Sequence, residues 1–343
     1  MSHLTYAEAI VVGLIQGVTE LFPVSSLGHN VLIPALIGGS WAQDLNVSKP
    51  ESPYLAFIVG LHVATALAMI IYFWRDWLRI IGGFFSSLRD RQISTADQRL
   101  AWLIIAATIP VGIAGLLLEH LFRVVFSKPI PTALFLTANG IVLFTAERLR
   151  RRSDASSANA DASLASAPVR EQAVAGAAGA HSARAAKSGV PIVRDTAPPL
   201  SRQEETQAAV LADRRLATLG FGQGLLLGAS QILALLPGIS RDGMVTATGM
   251  FRGLSREDAV RFSFLLSAPV ILAAGALKIP DLLGPLGNGI RSQVLVGSVL
   301  SFVGAYLSVR FLVRYFSKSG TLAPFAIYCV VAGLGSLIYL TIR

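Results

Sequence analysis

Gln16-Gly17-Val18-Thr19-Glu20-Leu21-Phe22-Pro23-Val24-Ser25-Ser26-Leu27-Gly28-His29 interrupts an apolar region that runs from residue 7 to 38. A second interruption, Gln231-Ile232-Leu233-Ala234-Leu235-Leu236-Pro237-Gly238-Ile239-Ser240-Arg241-Asp242-Gly243, sits inside the apolar region 219–251. Pro lacks an N–H donor and Gly and Ser favour turns. Each break therefore predicts two short helices joined by a turn, a dip into the membrane rather than a crossing. Ionisable groups at membrane depth cost roughly 2.5–3.5 kcal/mol each on insertion scales. Glu20, His29 and Arg241 in such places point to use.

The rest of the chain supplies the membrane context. Of 343 residues, 53% are hydrophobic and 14% charged, and the mean hydropathy is +0.60. That excludes an ordinary soluble domain. Six further apolar runs, about 54–74, 101–118, 131–147, 259–277, 292–314 and 324–342, reach or approach the ~20 residues a spanning helix needs. The net charge of +9 comes from cations in polar loops. The positive-inside rule accounts for them, and no nucleic-acid partner is expected. The single cysteine, Cys329, excludes an intrachain disulfide or thiolate cluster. The N-terminus shows neither a basic n-region nor a small-residue cleavage site, so no removed signal peptide is expected.

Arginines orient the runs. Arg75, Arg79, Arg89, Arg91 and Arg99 assign the 75–100 loop to the cytoplasm. Arg148, Arg150, Arg151, Arg152, Arg202, Arg214 and Arg215 do the same for 148–217, and Arg310, Arg314 and Lys318 for the last tight loop. Residues 40–53 and both chain ends then lie outside. Region 7–38 enters and leaves from outside, and 219–251 from inside. A weak repeat agrees: Gly13-Leu14-Ile15-Gln16-Gly17-Val18-Thr19-Glu20 resembles Gly224-Leu225-Leu226-Leu227-Gly228-Ala229-Ser230-Gln231. The expected fold is an all-α polytopic membrane protein, an inverted-topology repeat with six membrane-spanning helices and two opposed re-entrant helical hairpins. Residues 1–149 form the first membrane repeat and 216–343 the second. Residues 150–215, rich in Ala, Ser, Arg and Gly, read as a disordered cytoplasmic linker.

The breaks hold the candidate chemistry. Gln16 and Glu20 share a helix face, and Glu20 can bind a hard divalent cation or act as a base. It can equally pair with Arg241 to hold two hairpins together. Ser25 and Ser26 stand at the turn, where a serine either caps a helix or, beside a proton acceptor, serves as nucleophile. His29 can shuttle a proton near neutral pH. The stretch 237–243 reads as an anion seat: Gly238 and Gly243 admit close backbone approach, Ser240 stands at a helix start, and Arg241 offers a forked guanidinium suited to phosphate. His62, inside a span, reads as a packing or hydrogen-bonding residue, and Ser255 with Asp258 as a helix start. Carboxylate, serine, histidine and arginine together suggest hydrolysis or transport of a phosphorylated amphiphile. No Walker motif, HExxH or GxSxG is present.

The stretches 16–29 and 235–243 resemble the two signatures of the undecaprenyl-diphosphatase family, also called bacitracin-resistance proteins. Arg261-Phe262-Ser263-Phe264-Leu265-Leu266-Ser267-Ala268-Pro269 is similar to the stretch that follows the second. The resemblance covers nearly all of the chain except about 150–215. It implies a divalent-cation-dependent enzyme, with Mg or Ca, of the bacterial inner membrane. Such an enzyme removes the terminal phosphate of undecaprenyl diphosphate to regenerate the lipid carrier for peptidoglycan. Its pocket opens to the outer face, and its overproduction confers bacitracin resistance. The family's acidic pair carries over to Gln16 and Glu20 as metal ligands. Its serine, histidine and arginine carry over to Ser26, His29 and Arg241 as catalytic residues. Ser25, Gly28, Gly238, Ser240, Arg241 and Gly243 would bind substrate. Three positions depart from the family pattern: Gln16 for an acid, Leu27 for Thr, and Asp242 for Ser. A homodimer is left open. The competing readings are a polyprenyl-phosphate transporter or flippase and a non-catalytic lipid binder.

Overall fold

The computed structural model describes residues 4–45, 53–166, 202–284, 287–318 and 320–342, and no strand occurs among them. The chain opens on α1 (Tyr6–Thr19), started by a capping box in which the Thr5 hydroxyl accepts the Glu8 N–H and the Glu8 carboxylate accepts the Thr5 N–H. After the first break come α2 (Ser26–Ile37) and the short α3 (Gly39–Asp44). Four long helices follow: α4 (Pro53–Tyr72), α5 (Trp74–Asp90), α6 (Ala96–Phe126) and α7 (Pro129–Ser166). The second half begins with α8 (Arg202–Ala217) and α9 (Phe221–Ser230). A single 3-10 turn over Gln231–Leu235 leads through the second break to α10 (Arg241–Phe251). The chain then closes with α11 (Arg256–Leu283), α12 (Arg291–Ser317) and α13 (Ala323–Ile342). Ser255 caps α11 by accepting the Asp258 N–H, as its sequence position predicts.

Five single helices are long and apolar enough to cross a membrane: Ala96–Leu118, Pro129–Ser156, Arg256–Leu277, Arg291–Ser317 and Ala323–Ile342. Two bent pairs raise the number to seven if each is one span. In one, α4 meets α5 at 86°; in the other, α8 meets α9 at 103°. The chain is therefore a multi-pass membrane protein. The first of the six expected runs, 54–74, belongs to the first bent pair. Its second member, α5, exposes Trp74, Leu78, Ile81, Phe85 and Leu88 along one stripe while burying Asp76, Ile80, Gly83 and Ser87. A helix so divided, turned sharply away from an apolar span, suits the membrane surface.

The two halves pack by exchange. α1 lies on α12 and α9 lies on α6, while α4 meets α11 and α7 meets α13. Small residues allow the first two contacts to close. A Cβ on Gly13 would sit 2.5 Å from the Gly297 carbonyl oxygen, and one on Gly17 2.5 Å from that of Ser301. On the other side, Gly224 faces Leu103 and Gly228 faces Ala107 in the same way. Each pair of glycines is four residues apart, and so is each pair of partners.

The expected linker of 150–215 is corrected at both ends. α7 continues to Ser166 and α8 starts at Arg202, and residues 167–201 lie outside the described residues. The reason is partly local: alanines favour helix. The rest is tertiary. Asp213, 1% exposed, accepts from Arg79 (2.5 Å) and Arg261 (2.8 Å), and Arg261 also pairs with Asp76 at 3.1 Å. Arg215 pairs with Asp258 at 2.7 Å. Thus α8 is tied to α5 and α11 by ion pairs. Breaking a buried pair from one side typically costs about 3–5 kcal/mol. Asp213→Ala is expected to fall at the low end of that range, since Arg79 is partly hydrated and Asp76 remains as a partner. A thermal unfolding midpoint in detergent equal to wild type would remove this anchor from the account.

Candidate active site

The two breaks meet at their backbones. Gly28 lies so close to Gly238 that a Cβ on it would sit 2.9 Å from the Gly238 Cα. Gly238 has φ of 107° and lies against Thr132 and Leu136 of α7, a position that only glycine fills without strain. The Ser25 hydroxyl caps α2 by accepting the Gly28 N–H at 3.2 Å, and it also accepts the Gly238 N–H at 3.1 Å. Ser240 caps α10 in the same manner, accepting the Gly243 N–H at 3.1 Å. The N-termini of α2 and α10 are thereby brought together, with Ser26 first in one helix and Arg241 first in the other.

Glu20 is the hub of the junction. Its Oε2 accepts from Ser26 Oγ at 2.5 Å and from Gln16 Nε2 at 2.8 Å, and it faces His62 Nε2 at 3.3 Å. Its Oε1 accepts from an Arg241 terminal nitrogen. The Glu20 side chain is 3% exposed, so these partners, rather than water, hold its carboxylate. Arg241 keeps some exposure, and its Nε is buried with no hydrogen-bond partner among the described residues. One donor of the guanidinium fork is therefore uncommitted.

Such a junction has the chemistry to seat an anion beside a hydroxyl and a carboxylate. Two helix N-termini and a guanidinium favour negative charge, and a hydroxyl bonded to a carboxylate, as Ser26 is to Glu20, can serve as a nucleophile with its base. Over residues 9–335 the chain matches the model of the family described as "Bacitracin resistance protein BacA". The chain belongs to the bacitracin resistance protein family. It is similar to a protein of Mycolicibacterium paratuberculosis named undecaprenyl-diphosphatase, 56% identical over 342 residues, with 100% of this chain and 99% of that one covered. It is also similar to undecaprenyl-diphosphatase 1 of Frankia casuarinae, at 52% over 362 residues and 97% of each chain. For undecaprenyl-diphosphatase 2 of Burkholderia orbicola the identity is 37% over 325 residues, covering 95% and 93%.

Within this family member the expected site residues separate into two groups, with His29 outside both. Gln16, Glu20, Ser26 and Arg241 converge. Ser25, Gly28, Gly238, Ser240 and Gly243 build the junction of the breaks. His29 stands apart from Ser26. Its Nδ1 donates to the Ser25 carbonyl at 2.7 Å, the preceding turn of its own helix. That leaves Nε2 of the neutral ring to accept from the Tyr328 hydroxyl at 2.7 Å, with the two rings stacked. The Ser26 hydroxyl donates to Glu20 instead. Asp242, one of the departures, is turned to α11, where it accepts from Ser267 at 2.5 Å.

Three residues at the junction go beyond the sequence reading. His62, read as a packing or hydrogen-bonding residue, does donate from Nδ1 to the Ile58 carbonyl, but its Nε2 also faces Glu20. Asn30 holds the Gln16 oxygen at 2.7 Å. Asn139, deep in α7, touches both breaks. A lone amide inside an apolar run was the available signal for Asn139.

A divalent cation is the cofactor the family resemblance implies. Among the described residues no group of three or more His, Cys, Asp or Glu is placed to hold a metal ion. Gln16 turns its NH2 to Glu20 and its oxygen to Asn30. The protein thus offers one carboxylate, which fits a cation shared with substrate phosphates and water, not an all-protein cage.

Proposed function

We propose that the junction of Glu20, Ser26 and Arg241 is where this chain removes the terminal phosphate of undecaprenyl diphosphate. The activity itself follows from membership of the family and from full-length relatives that carry the name undecaprenyl-diphosphatase. The observation that carries the site is the convergence of Ser26 and Arg241 on one buried carboxylate, supplied by two breaks over 200 residues apart in the chain. In the reaction, Arg241 and the starts of α2 and α10 bind the diphosphate. Glu20 takes the Ser26 proton as Oγ attacks the terminal phosphorus. The anhydride bond breaks, undecaprenyl phosphate leaves, and water then hydrolyses the phosphoserine to free phosphate and restore Ser26. Glu20 would hold a divalent cation, which would supply charge neutralisation for the phosphoryl group.

Detergent-purified protein given undecaprenyl diphosphate is expected to release phosphate, and to stop when a chelator is added. Absence of release with no membrane to cross would favour a transporter. Arg241→Lys is expected to lose most turnover despite keeping its charge, because an ammonium cannot hold two phosphate oxygens as a fork does. Near wild-type turnover would reduce Arg241 to a point charge.

The exchanged packing of the halves, with matched glycine spacings, supports an inverted repeat with two opposed hairpins. The arginine distribution supports an inner-membrane protein whose site opens to the outer face. Cysteine labelling tests this orientation, since native Cys329 is buried. Ala42→Cys is expected to react with an impermeant maleimide in intact cells and Ser156→Cys is not; both positions are exposed. The opposite pattern inverts the topology.

A further inference from the structure

We infer that Asn139 is a positioning residue for the phosphatase site, a clip that sets Arg241 against Glu20. Its side chain is wholly buried in α7. Nδ2 donates to the Pro23 carbonyl at 3.0 Å, and Oδ1 accepts the Ser240 N–H at 3.0 Å. Pro23 lies midway between Glu20 and Ser26 in the chain, and Ser240 immediately precedes Arg241. One amide therefore grips the backbone of both breaks beside the reacting groups. Nδ2 also approaches Cys329 Sγ of α13 at 3.4 Å, so the clip is itself held from behind.

The chemistry of the grip is specific. A break frees backbone groups that the helix would otherwise pair, and in a membrane these need partners. Pro23 presents an acceptor and Ser240 a donor, so the clip must be a donor and an acceptor on one carbon. Among side chains of this length the Asn amide is both without taking up a proton, whereas an ionised aspartate only accepts. Aspartate would keep the bond from Ser240 but set a second oxygen against the Pro23 carbonyl. Leucine would keep the volume and lose both bonds.

The inference rests on the site proposed above, and its test separates the two. Purified Asn139→Asp is expected to lose at least about tenfold in kcat, equivalent to about 1.4 kcal/mol. If Asn139 acts through Arg241, the same change in an Arg241→Lys background costs less than about threefold, because contacts in one network are not additive. Equal loss in both backgrounds makes Asn139 merely structural and overturns the inference, as does wild-type turnover of Asn139→Asp. Asn139→Leu, measured in the same way, serves if the aspartate variant is not monodisperse. Failure of both to fold makes the residue one of assembly and also overturns the inference. Near wild-type turnover of Arg241→Lys alone would reduce Arg241 to a point charge and leave the clip no forked guanidinium to set, which also overturns the inference. An impaired Arg241→Lys with additive Asn139 effects removes only the clip.

Discussion

Glu20→Gln is expected to lower phosphate release by roughly 100–1,000-fold, the usual loss when one preorganised electrostatic element is removed. The substitution keeps the shape of the side chain and its capacity to accept from Ser26 and Gln16. It removes the negative charge that holds Arg241, receives the Ser26 proton and would seat a cation. Folding should survive: the Ser25–Gly238 bond, the Asn139 contacts and the exchanged glycine packing hold the breaks together without Glu20. Arg241, partly exposed, can recover hydration when its partner is neutralised. Size-exclusion behaviour and thermal midpoint in detergent check folding, and turnover checks the chemistry. A variant retaining more than a tenth of wild-type turnover would show that Glu20 is neither base nor cation seat.

Ser26→Ala is expected to lose at least about 100-fold, since a nucleophile that acts as a unit with its base takes most of the chemistry with it. The structure separates the two adjacent serines. Ser25 has φ of 70° and gives its oxygen to two backbone N–H groups, so its role is to cap and cross-link. Ser26 has no such duty, and its hydroxyl is bonded to the carboxylate. Acid quenching of wild type with substrate labelled in the terminal phosphate should trap label on Ser26. Retention of more than a tenth of the turnover by Ser26→Ala, an effect of about 1.4 kcal/mol or less, would make water the attacking group, with Glu20 as its base.

Much of the architecture is written in local chemistry. Pro23 and Pro237 with their neighbouring Ser and Gly end helices whatever surrounds them. Apolar runs of spanning length need the bilayer, and Ser25, Ser240 and Ser255 cap the helices that follow them. The sequence by itself thus determined an all-helical membrane protein, two breaks at known positions, and the residue types available at each. It also carried the two signatures on which the family was read. Fold and residue types follow from effects that reach only a few residues along the chain.

The tertiary structure decided which of those residues meet. Glu20 and Arg241 are joined across 221 positions, Asn139 and Ser240 across 101, and His29 and Tyr328 across 299. No periodicity encodes such pairings. His29 lies close to Ser26 in the chain, but helix geometry turned its ring onto the Ser25 carbonyl and Tyr328. Nothing near His62 in sequence is charged, and only the seating of α4 beside α1 brings it to Glu20. The ends of the 150–215 segment looked unstructured by composition, and it is the ion pairs of Asp213 and Arg215 with distant helices that order α8. Local propensity shapes a helix or a turn, but the partner of a buried charge is fixed by packing, because only there is the charge's desolvation offset.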